Sequence, residues 1–152
     1  MKSPRQSATR KRAVKAGFRS GLEMKIAKIF DDHGIKYKYE PKEHIIEYDV
    51  PIKNGLCLDC GSTNVVQRHK YLTDFVLNLG KLFVEVKGRF TAKDRKKMLA
   101  VREAAHKSIK FLIVLQSPKT KITKRVTLSD WCDKNGFDWC SAKAMDIIEK
   151  VR

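Results

Sequence analysis

The chain has 152 residues, 42% of them hydrophobic, which suits a single domain with one core. Lysine and arginine outnumber aspartate and glutamate by 33 to 17, a formal charge of +16, and this excess favours nucleic acid as a partner ahead of an anionic membrane surface. No apolar run approaches the ~20 residues that cross a bilayer, and the N-terminus lacks the apolar core of a signal peptide, so we expect an intracellular protein without a membrane span.

Residues 1–16 are basic, contain no acid and carry almost no large apolar side chain. Such a composition predicts a disordered tail, which could fold onto phosphates or could act only to raise solubility. The candidate DNA contacts in this tail are Arg10, Lys11 and Arg12.

A helix is predicted over residues 18–33, because apolar side chains recur there at helical spacing and a glycine follows. Ser20 and Glu23 have the S-x-x-E spacing of a capping box. Glu23 borders the apolar stripe, so it could cap its own helix or reach a neighbouring acidic site as a third carboxylate. Residues 37–52 then predict a long extended segment, and residues 53–70 a polar loop.

The loop contains the sequence Cys57-Leu58-Asp59-Cys60-Gly61, the knuckle form that presents two thiolates to one tetrahedral Zn²⁺. Cysteines of an intracellular protein are more often thiols or metal ligands than disulfides. Two further ligands would be needed, and His69 is the nearest candidate, with Cys132 and Cys140 further off. Two knuckles from two chains could instead share one ion, or the thiols could stay unligated.

Residues 72–88 predict two short strands joined at a turn, because β-branched and aromatic residues flank an Asn-x-Gly sequence. A turn centred on Leu79 and Gly80 places Asp74 opposite Glu85. Side chains alternate along a strand, so Lys87 shares a face with Glu85. These three polar groups are therefore expected to converge.

The chemistry of this group depends on the repulsion between its carboxylates. Two neighbouring carboxylates are costly to keep ionised unless a cation lies between them. Mg²⁺ prefers oxygen ligands and takes one or two carboxylates, with water and substrate phosphate completing its shell. Lys87 is placed to orient or deprotonate an attacking water, or to stabilise negative charge on phosphorus. A surface hairpin whose acids and lysine form a salt-bridged patch would give the same pattern.

A second helix is predicted from residue 91 to about residue 107, because Thr91 and Asp94 have the form of a capping box. The exposed face of this helix and the residues before it are basic, so the face is either solvated or suited to gripping a DNA backbone. The residues concerned are Arg89, Lys93, Arg95, Lys96 and Lys97.

The C-terminal third begins with residues 110–116, a continuous apolar run typical of a central strand covered on both faces. Residues 127–135 and 141–151 predict two short helices. The expected core residues of this part are Trp131, Phe137, Trp139, Met145 and Ile148.

A family resemblance is carried by five stretches of the sequence. They are F-R-S-G-L-E at 18–23, G-I-K-Y-K-Y-E at 34–40, T-D-F-V-L at 73–77, F-V-E-V-K-G at 83–88 and D-R-K-K at 94–97. Together with the order of elements they resemble the phage endonuclease I family of Holliday-junction resolvases, within the PD-(D/E)xK nuclease class. The resemblance covers most of residues 14–118. It implies an α/β, restriction-endonuclease-like fold over residues 17–152, with a mixed sheet flanked by helices. It also implies an element-swapped homodimer bridged by the stretch at 37–52.

The same resemblance implies a Mg²⁺- or Mn²⁺-dependent endonuclease that cuts four-way DNA junctions in the host cytoplasm. Asp74 and Glu85 would hold the metal, Glu23 of the other chain would complete a site for two ions, Lys87 would position water, and Arg19 would contact DNA. Two departures stand out, a threonine in place of the class proline before the aspartate and a longer loop at 53–70.

We expect no small-molecule cofactor and no membrane partner. Two other functions stay open. One is a non-enzymatic basic nucleic-acid-binding protein built on a zinc knuckle, and the other is a restriction- or repair-type nuclease that acts on linear duplex.

Overall fold

The computed structural model describes residues 7–152, in which seven strands and five helices follow one another. The strands are β1 (Lys38–Tyr39), β2 (Ile46–Pro51), β3 (Val66–Tyr71), β4 (Phe75–Leu77), β5 (Leu82–Lys87), β6 (Lys110–Leu115) and β7 (Asp138–Ser141). The helices are α1 (Ala8–Lys15), α2 (Gly21–Asp32), α3 (Ala92–Ala104), α4 (Leu128–Lys134) and α5 (Ala144–Val151). The expectations for residues 1–6 lie outside this description.

Five strands form a mixed sheet in the order β1-β4-β5-β6-β7. Strand β4 pairs antiparallel with β1 and β5, whereas β5, β6 and β7 run parallel. Helices cover both faces, since one buried apolar cluster joins α2 and α5 to the sheet and a second joins α3 and α4 to the other face. The predicted mixed sheet flanked by helices is therefore confirmed, and β6 is the buried strand that the apolar run at 110–116 predicted. No helix within residues 7–152 has the length and apolar character needed to cross a membrane.

The β4–β5 hairpin has the register that its turn predicted. Phe75 pairs with Val84 and Leu77 with Leu82, so the next pair outward sets Asp74 opposite Glu85. Asn78, Leu79 and Gly80 make the turn with φ of 51°, 55° and 89°. Such left-handed backbone favours asparagine and glycine, which explains the Asn-x-Gly signal.

The N-terminal segment differs from its prediction. Residues 8–15, expected to belong to a disordered tail, form α1, whose Ala13 is fully buried. Thr9 of α1 approaches Gly21 so closely that a Cβ at Gly21 would lie 2.5 Å from the Thr9 Cγ2 atom. Helix α1 is therefore packed against the start of α2, through contacts that composition alone does not reveal.

The extended segment predicted at 37–52 is two strands in different sheets. Glu40, with φ of 42°, and Pro41 interrupt it, and a 3₁₀ turn at Lys42–His44 precedes β2. Strand β2 pairs antiparallel with β3 in a separate two-stranded sheet, called here the ribbon. The loop predicted at 53–70 is consequently shorter, because residues 66–70 belong to β3. The exposure of most of β3 removed the apolar alternation that would have marked it as a strand.

Three details of the C-terminal part were wrong. Strand β7 was missed, because four residues with a polar residue at each end give little pattern. Met145, expected in the core, is 75% exposed. Helix α3 ends at Ala104 instead of near residue 107. The remaining expectations hold, since Phe137 and Ile148 are buried and Trp131 and Trp139 pack partly buried against the core.

Candidate active site

The hairpin brings the three predicted polar groups together at one end of the sheet. Asp74 immediately precedes β4, Glu85 lies within β5, and Lys87 ends β5. Both carboxylates are buried, each with 4% of its surface exposed. The pattern is therefore not the exposed salt-bridged patch of a surface hairpin, because two acids are held out of water side by side.

Glu85 is held by two donors. The hydroxyl of Tyr71 donates to Glu85 Oε2 at 2.5 Å, and Lys87 Nζ lies 2.7 Å from Glu85 Oε1. Burial and the charge of Glu85 keep the pKa of Tyr71 well above its usual value, so the hydroxyl remains a donor. Glu85 is thereby fixed from both sides.

Lys87 is a cation in this site. Burial lowers its pKa, but the charge and hydrogen bond of Glu85 outweigh burial, and the net pKa is raised. Asp94 at the first turn of α3 lies 4.0 Å away and adds to this effect. Of the three roles predicted for Lys87, orienting water and stabilising negative charge fit this protonated state, whereas deprotonating water does not.

The surroundings of Asp74 destabilise its ionised form. Burial, followed by the charge of Glu85, raises the pKa of Asp74 to about 8, even though the N–H of Val86 donates to Asp74 Oδ2 at 2.7 Å. The guanidinium of Arg19 approaches its other oxygen at 3.9 Å. A site that raises an aspartate pKa in this way is short of positive charge, which is the condition that a bound cation relieves.

Glu23 has the capping role that its position allowed. Its backbone and carboxylate form reciprocal hydrogen bonds with Ser20, at 3.1 and 2.9 Å, which cap α2. Its other oxygen accepts from the N–H of Arg19 at 3.2 Å and from the Tyr39 hydroxyl at 2.5 Å. Glu23 is buried, and its charge contributes to the raised pKa of Asp74. In this single chain the Glu23 whose charge acts on Asp74 belongs to the same molecule, and the prediction that Glu23 completes the site of a partner chain stays a prediction.

A fourth acid, Glu40, was missed from the sequence. Its backbone N–H donates to the carbonyl oxygen of Asp74 at 2.9 Å, and its carboxylate pairs with Arg19 Nε at 2.7 Å. The left-handed φ of Glu40 ends β1 beside the site. Glu40 lies within the stretch G-I-K-Y-K-Y-E that carried the family resemblance, and this was the available signal.

The predicted DNA-binding residues divide into two groups. Arg10, Lys11 and Arg12 are exposed on α1, and Arg89, Lys93 and Lys96 are exposed at the start of α3. Two others are partly buried and packed on aromatic rings. Arg95 donates to the Phe90 carbonyl and lies over Trp131, and Lys97 lies 5.5 Å from the centre of the Tyr71 ring.

A basic groove runs beside the site, between α1, the start of α2 and the loops that follow β5, β6 and β7. Arg19 and Val86 line it, and both contact Asp74, the first through its guanidinium and the second through its backbone N–H. Its cationic lining comes from separate elements and comprises Arg10, Arg19, Lys25, Arg89, Lys119 and Lys143. A polyanion lying in this groove would therefore lie beside the residues that contact Asp74.

The acids fit a hard metal ion by their chemistry. No three acid, histidine or cysteine side chains of residues 7–152 meet closely enough to hold a metal ion. Lys87 and Arg19 are the cations beside the carboxylates. Asp74 and Glu85 supply adjacent buried oxygens. The pKa of Asp74 is raised, so a cation bound beside it would stabilise its ionised form. Oxygen-only donors of this kind suit Mg²⁺ or Mn²⁺.

Removing the Tyr71 hydroxyl tests how Glu85 is positioned. Tyr71→Phe is expected to lower the free energy of unfolding by about 1–3 kcal/mol, because a buried carboxylate loses a donor. Tyr48→Phe, in the ribbon, is the matched control and should unfold as wild type. Chemical denaturation measures both variants, and an unchanged free energy of unfolding in Tyr71→Phe would contradict this role.

Comparison with known proteins extends these observations. A family model described as phage endonuclease I matches residues 4–147. Endonuclease I of Escherichia phage T7 is 38% identical over 122 residues, covering 79% of this chain and 70% of the relative. Endodeoxyribonuclease 1 of Enterobacteria phage T3 is 36% identical over 122 residues, covering 79% of this chain and 68% of the relative.

Proposed function

This chain belongs to the phage endonuclease I family, and we propose that it is a metal-dependent DNA endonuclease that cuts branched DNA, with four-way junctions as its substrate. The observation that carries the proposal is the pair of buried carboxylates, Asp74 and Glu85, paired with Lys87 and lying beside the residues Arg19 and Val86 that line a basic groove. The relatives' names, endonuclease I and endodeoxyribonuclease 1, support the nuclease activity.

Different residues of the chain have different roles in the proposed hydrolysis of a phosphodiester. Asp74 and Glu85 would hold Mg²⁺ or Mn²⁺, with Glu23 completing a site for two ions, and the metal supplies positive charge that stabilises the attacking and leaving oxygens. Lys87 donates a hydrogen bond to the attacking water or to a phosphate oxygen. We expect hydrolysis to leave 5′-phosphate and 3′-hydroxyl ends.

Arg19 links substrate binding to the carboxylates. In the free site it bridges Glu40 and Asp74, and its side chain is 66% exposed toward the groove. A phosphate entering the groove offers a guanidinium a better partner than a distant carboxylate, since bidentate phosphate contacts are stronger than a 3.9 Å ion pair. Arg19 therefore holds DNA over the metal-binding acids while leaving Asp74 free to coordinate.

The proposed assembly is a homodimer in which two chains exchange α2 and β1. The connection between β1 and β2 makes this exchange possible, because a change of backbone direction between Glu40 and Ile46 would carry α2 and β1 away from the five-stranded sheet of their own chain. Exchange preserves contacts, because α2 and β1 of one chain can pack on β4 of another as they pack on their own. Glu23 of one chain would then complete the site formed by Asp74 and Glu85 of its partner.

Selectivity for branched DNA would follow from shape. A twofold dimer presents two basic grooves at a fixed separation, and phosphate contacts in these grooves carry no sequence information. Linear duplex would have to bend to enter both grooves, whereas the arms of a four-way junction diverge already. The substrate is thus recognised by the angle between its arms.

A substrate panel tests this function. Four-way junction, mismatched duplex and linear duplex of matched sequence are incubated at equal salt with Mg²⁺ or Mn²⁺. We expect the junction to be cut at least ~100-fold faster than linear duplex, because bending a duplex costs several kcal/mol, and chelation of the metal to stop cutting. Equal rates on junction and linear duplex would indicate a restriction- or repair-type nuclease. Binding without cutting of any substrate would indicate a non-enzymatic DNA-binding protein.

A further inference from the structure

The free end of the ribbon, residues 50–66, is called here the ribbon tip. It carries five of the nine large hydrophobic side chains that are exposed in residues 7–152. Their exposed fractions reach 93% for Leu58, and the five are Val50, Ile52, Leu56, Leu58 and Val66. Apolar side chains scattered singly on a surface need no explanation, but a cluster at the end of a projecting ribbon indicates a contact surface.

The ribbon tip also contains two thiols, Cys57 and Cys60, in one tight turn, the knuckle. The N–H of Cys57 donates to the carbonyl of Ser62 at 2.8 Å, and the N–H of Gly61 donates to the carbonyl of Cys57 at 2.9 Å. Gly61 has a φ of 67°, so the turn uses the left-handed backbone that glycine allows. The chain therefore folds tightly back on itself between the two cysteines.

Both thiols of the knuckle are free and accessible. Cys57 is partly buried and Cys60 is exposed, and neither belongs to a disulfide. Metals bind cysteine as the thiolate, so accessible free thiols of this kind can exchange their protons for a metal ion.

The described part of the same chain, residues 7–152, brings no further ligand to the knuckle. The three-residue step along the ladder from Pro51 to Tyr48 places His69 about 10 Å from the end of the ribbon, where its ring stacks on Tyr48. Cys132 and Cys140 are buried in the main core, where burial raises the pKa of each thiol to about 12. Within residues 7–152 no third acid, histidine or cysteine joins Cys57 and Cys60. The knuckle thus offers two of the four ligands that a tetrahedral metal site takes.

Charge makes the ribbon tip the favourable place for two copies to meet. The whole chain has a formal charge of +16, yet residues 50–66 contain one basic side chain, Lys53, and one acidic side chain, Asp59. Two chains that approach by other surfaces repel each other, whereas two ribbon tips meet without net charge and bury their apolar side chains. A twofold axis through the contact brings two identical knuckles face to face.

We propose that the ribbon tips of two chains pair and that Cys57 and Cys60 of both chains bind one Zn²⁺ through four thiolates. Four thiols lose their protons to solvent as four Zn–S bonds of ~2.3 Å form, with no change of oxidation state. The apolar side chains of both tips then cover the site. The metal crosslinks two chains at a place remote from Asp74 and Glu85, so it serves assembly and takes no part in hydrolysis.

Titration of the full-length, metal-free protein with Co²⁺ tests the proposal, because cobalt reports its ligands by visible absorption. The expected result is the absorption of a four-thiolate complex that saturates at one cobalt per two chains, with Zn²⁺ displacing the cobalt. Cys57→Ser and Cys60→Ser should each abolish this absorption. Cys140→Ala, which removes a thiol from the core, should leave both the absorption and its end point unchanged.

Two results would overturn the proposal. Saturation at one cobalt per chain would mean that each knuckle completes its own site, and the absence of thiolate–cobalt absorption would mean that the thiols bind no metal. The wild-type end point alone distinguishes these results, so the conclusion does not depend on any variant folding. Because the measurement follows metal–thiolate absorption, it is independent of whether the protein cuts DNA.

Discussion

Asp74→Asn and Glu85→Gln are each expected to abolish cleavage of a four-way junction while leaving junction binding intact or tighter. Each substitution removes an ionised ligand from the metal-binding pair, and we expect single-turnover rates to fall on the order of 10³-fold or more. Each also removes negative charge next to the place that a phosphate must occupy, so binding should not weaken. Gel-shift titration in Ca²⁺ or chelator measures binding separately from cutting.

Asp138→Asn is the matched control for this pair of variants. Asp138 begins β7 at the opposite end of the sheet from Lys87, and its nearest cation is Lys150 at 3.8 Å. This variant loses the same charge as Asp74→Asn but should cut at the wild-type rate. Wild-type cleavage by Asp74→Asn or Glu85→Gln would remove these residues from the active site.

The stability of Asp74→Asn provides an independent measure of its environment. Burial and the charge of Glu85 raise the pKa of Asp74 to about 8 in the folded chain, against ~3.9 for an unfolded aspartate. Folding therefore favours the protonated form, and this contribution is complete below about pH 4 and is lost as the pH rises through about 8. Asparagine stays neutral, so the variant should gain at least about 1 kcal/mol over wild type between pH 4 and pH 8. Thermal unfolding in chelator at both pH values measures this gain, which also demonstrates that the inactive variant is folded.

A heterodimer of a Glu23→Ala chain with a Lys87→Ala chain tests the proposed exchange. If chains exchange α2 and β1, both lesions fall in one site and the other site is intact, so the heterodimer should nick one strand at nearly the wild-type rate and rarely make paired cuts. If each chain builds its own site, as in the single chain described here, each site carries one lesion and the heterodimer is inactive. Differently tagged chains, co-purified and assayed on a four-way junction, provide the measurement.

The reciprocal heterodimer is the control. It pairs a wild-type chain with a chain that carries both Glu23→Ala and Lys87→Ala. Exchange then places one lesion in each site and predicts inactivity, whereas unexchanged sites leave one site whole. The two heterodimers must therefore give opposite results, and activity in the first is required for the exchanged assembly.

The parts of the fold that sequence predicted well depend on local signals. The turn at Asn78 to Gly80 determined the register of β4 and β5, and the capping box of Thr91 and Asp94 is present at the start of α3. The continuous apolar run at 110–116 identified β6. In each case residues close together in the chain carry the information, so no knowledge of distant contacts was needed.

The parts that sequence missed depend on contacts made at a distance. Helix α1 is stable because Ala13 is buried and Thr9 packs on Gly21, and neither contact has a signature in a basic segment. Glu40 reaches the site only because β1 pairs with β4, and Tyr71 reaches Glu85 only because β3 ends beside the sheet. A single acid or tyrosine in an extended stretch gives no indication of such partners. The residues that Asp74 and Glu85 contact were therefore only partly predictable.

The turn between β4 and β5 and the loop between β2 and β3 differ in how far their length can change during evolution. An insertion or deletion of one residue in the turn at Asn78 to Gly80 would slip the β4–β5 register and move Glu85 to the opposite face, so this turn has a fixed length. The loop at 53–65 lies beyond the last pair of the ribbon, and its growth leaves the spacing of Asp74 and Glu85 unchanged. New sequence can therefore accumulate at the ribbon tip without loss of the site, and a two-cysteine module can be gained or lost there between related proteins.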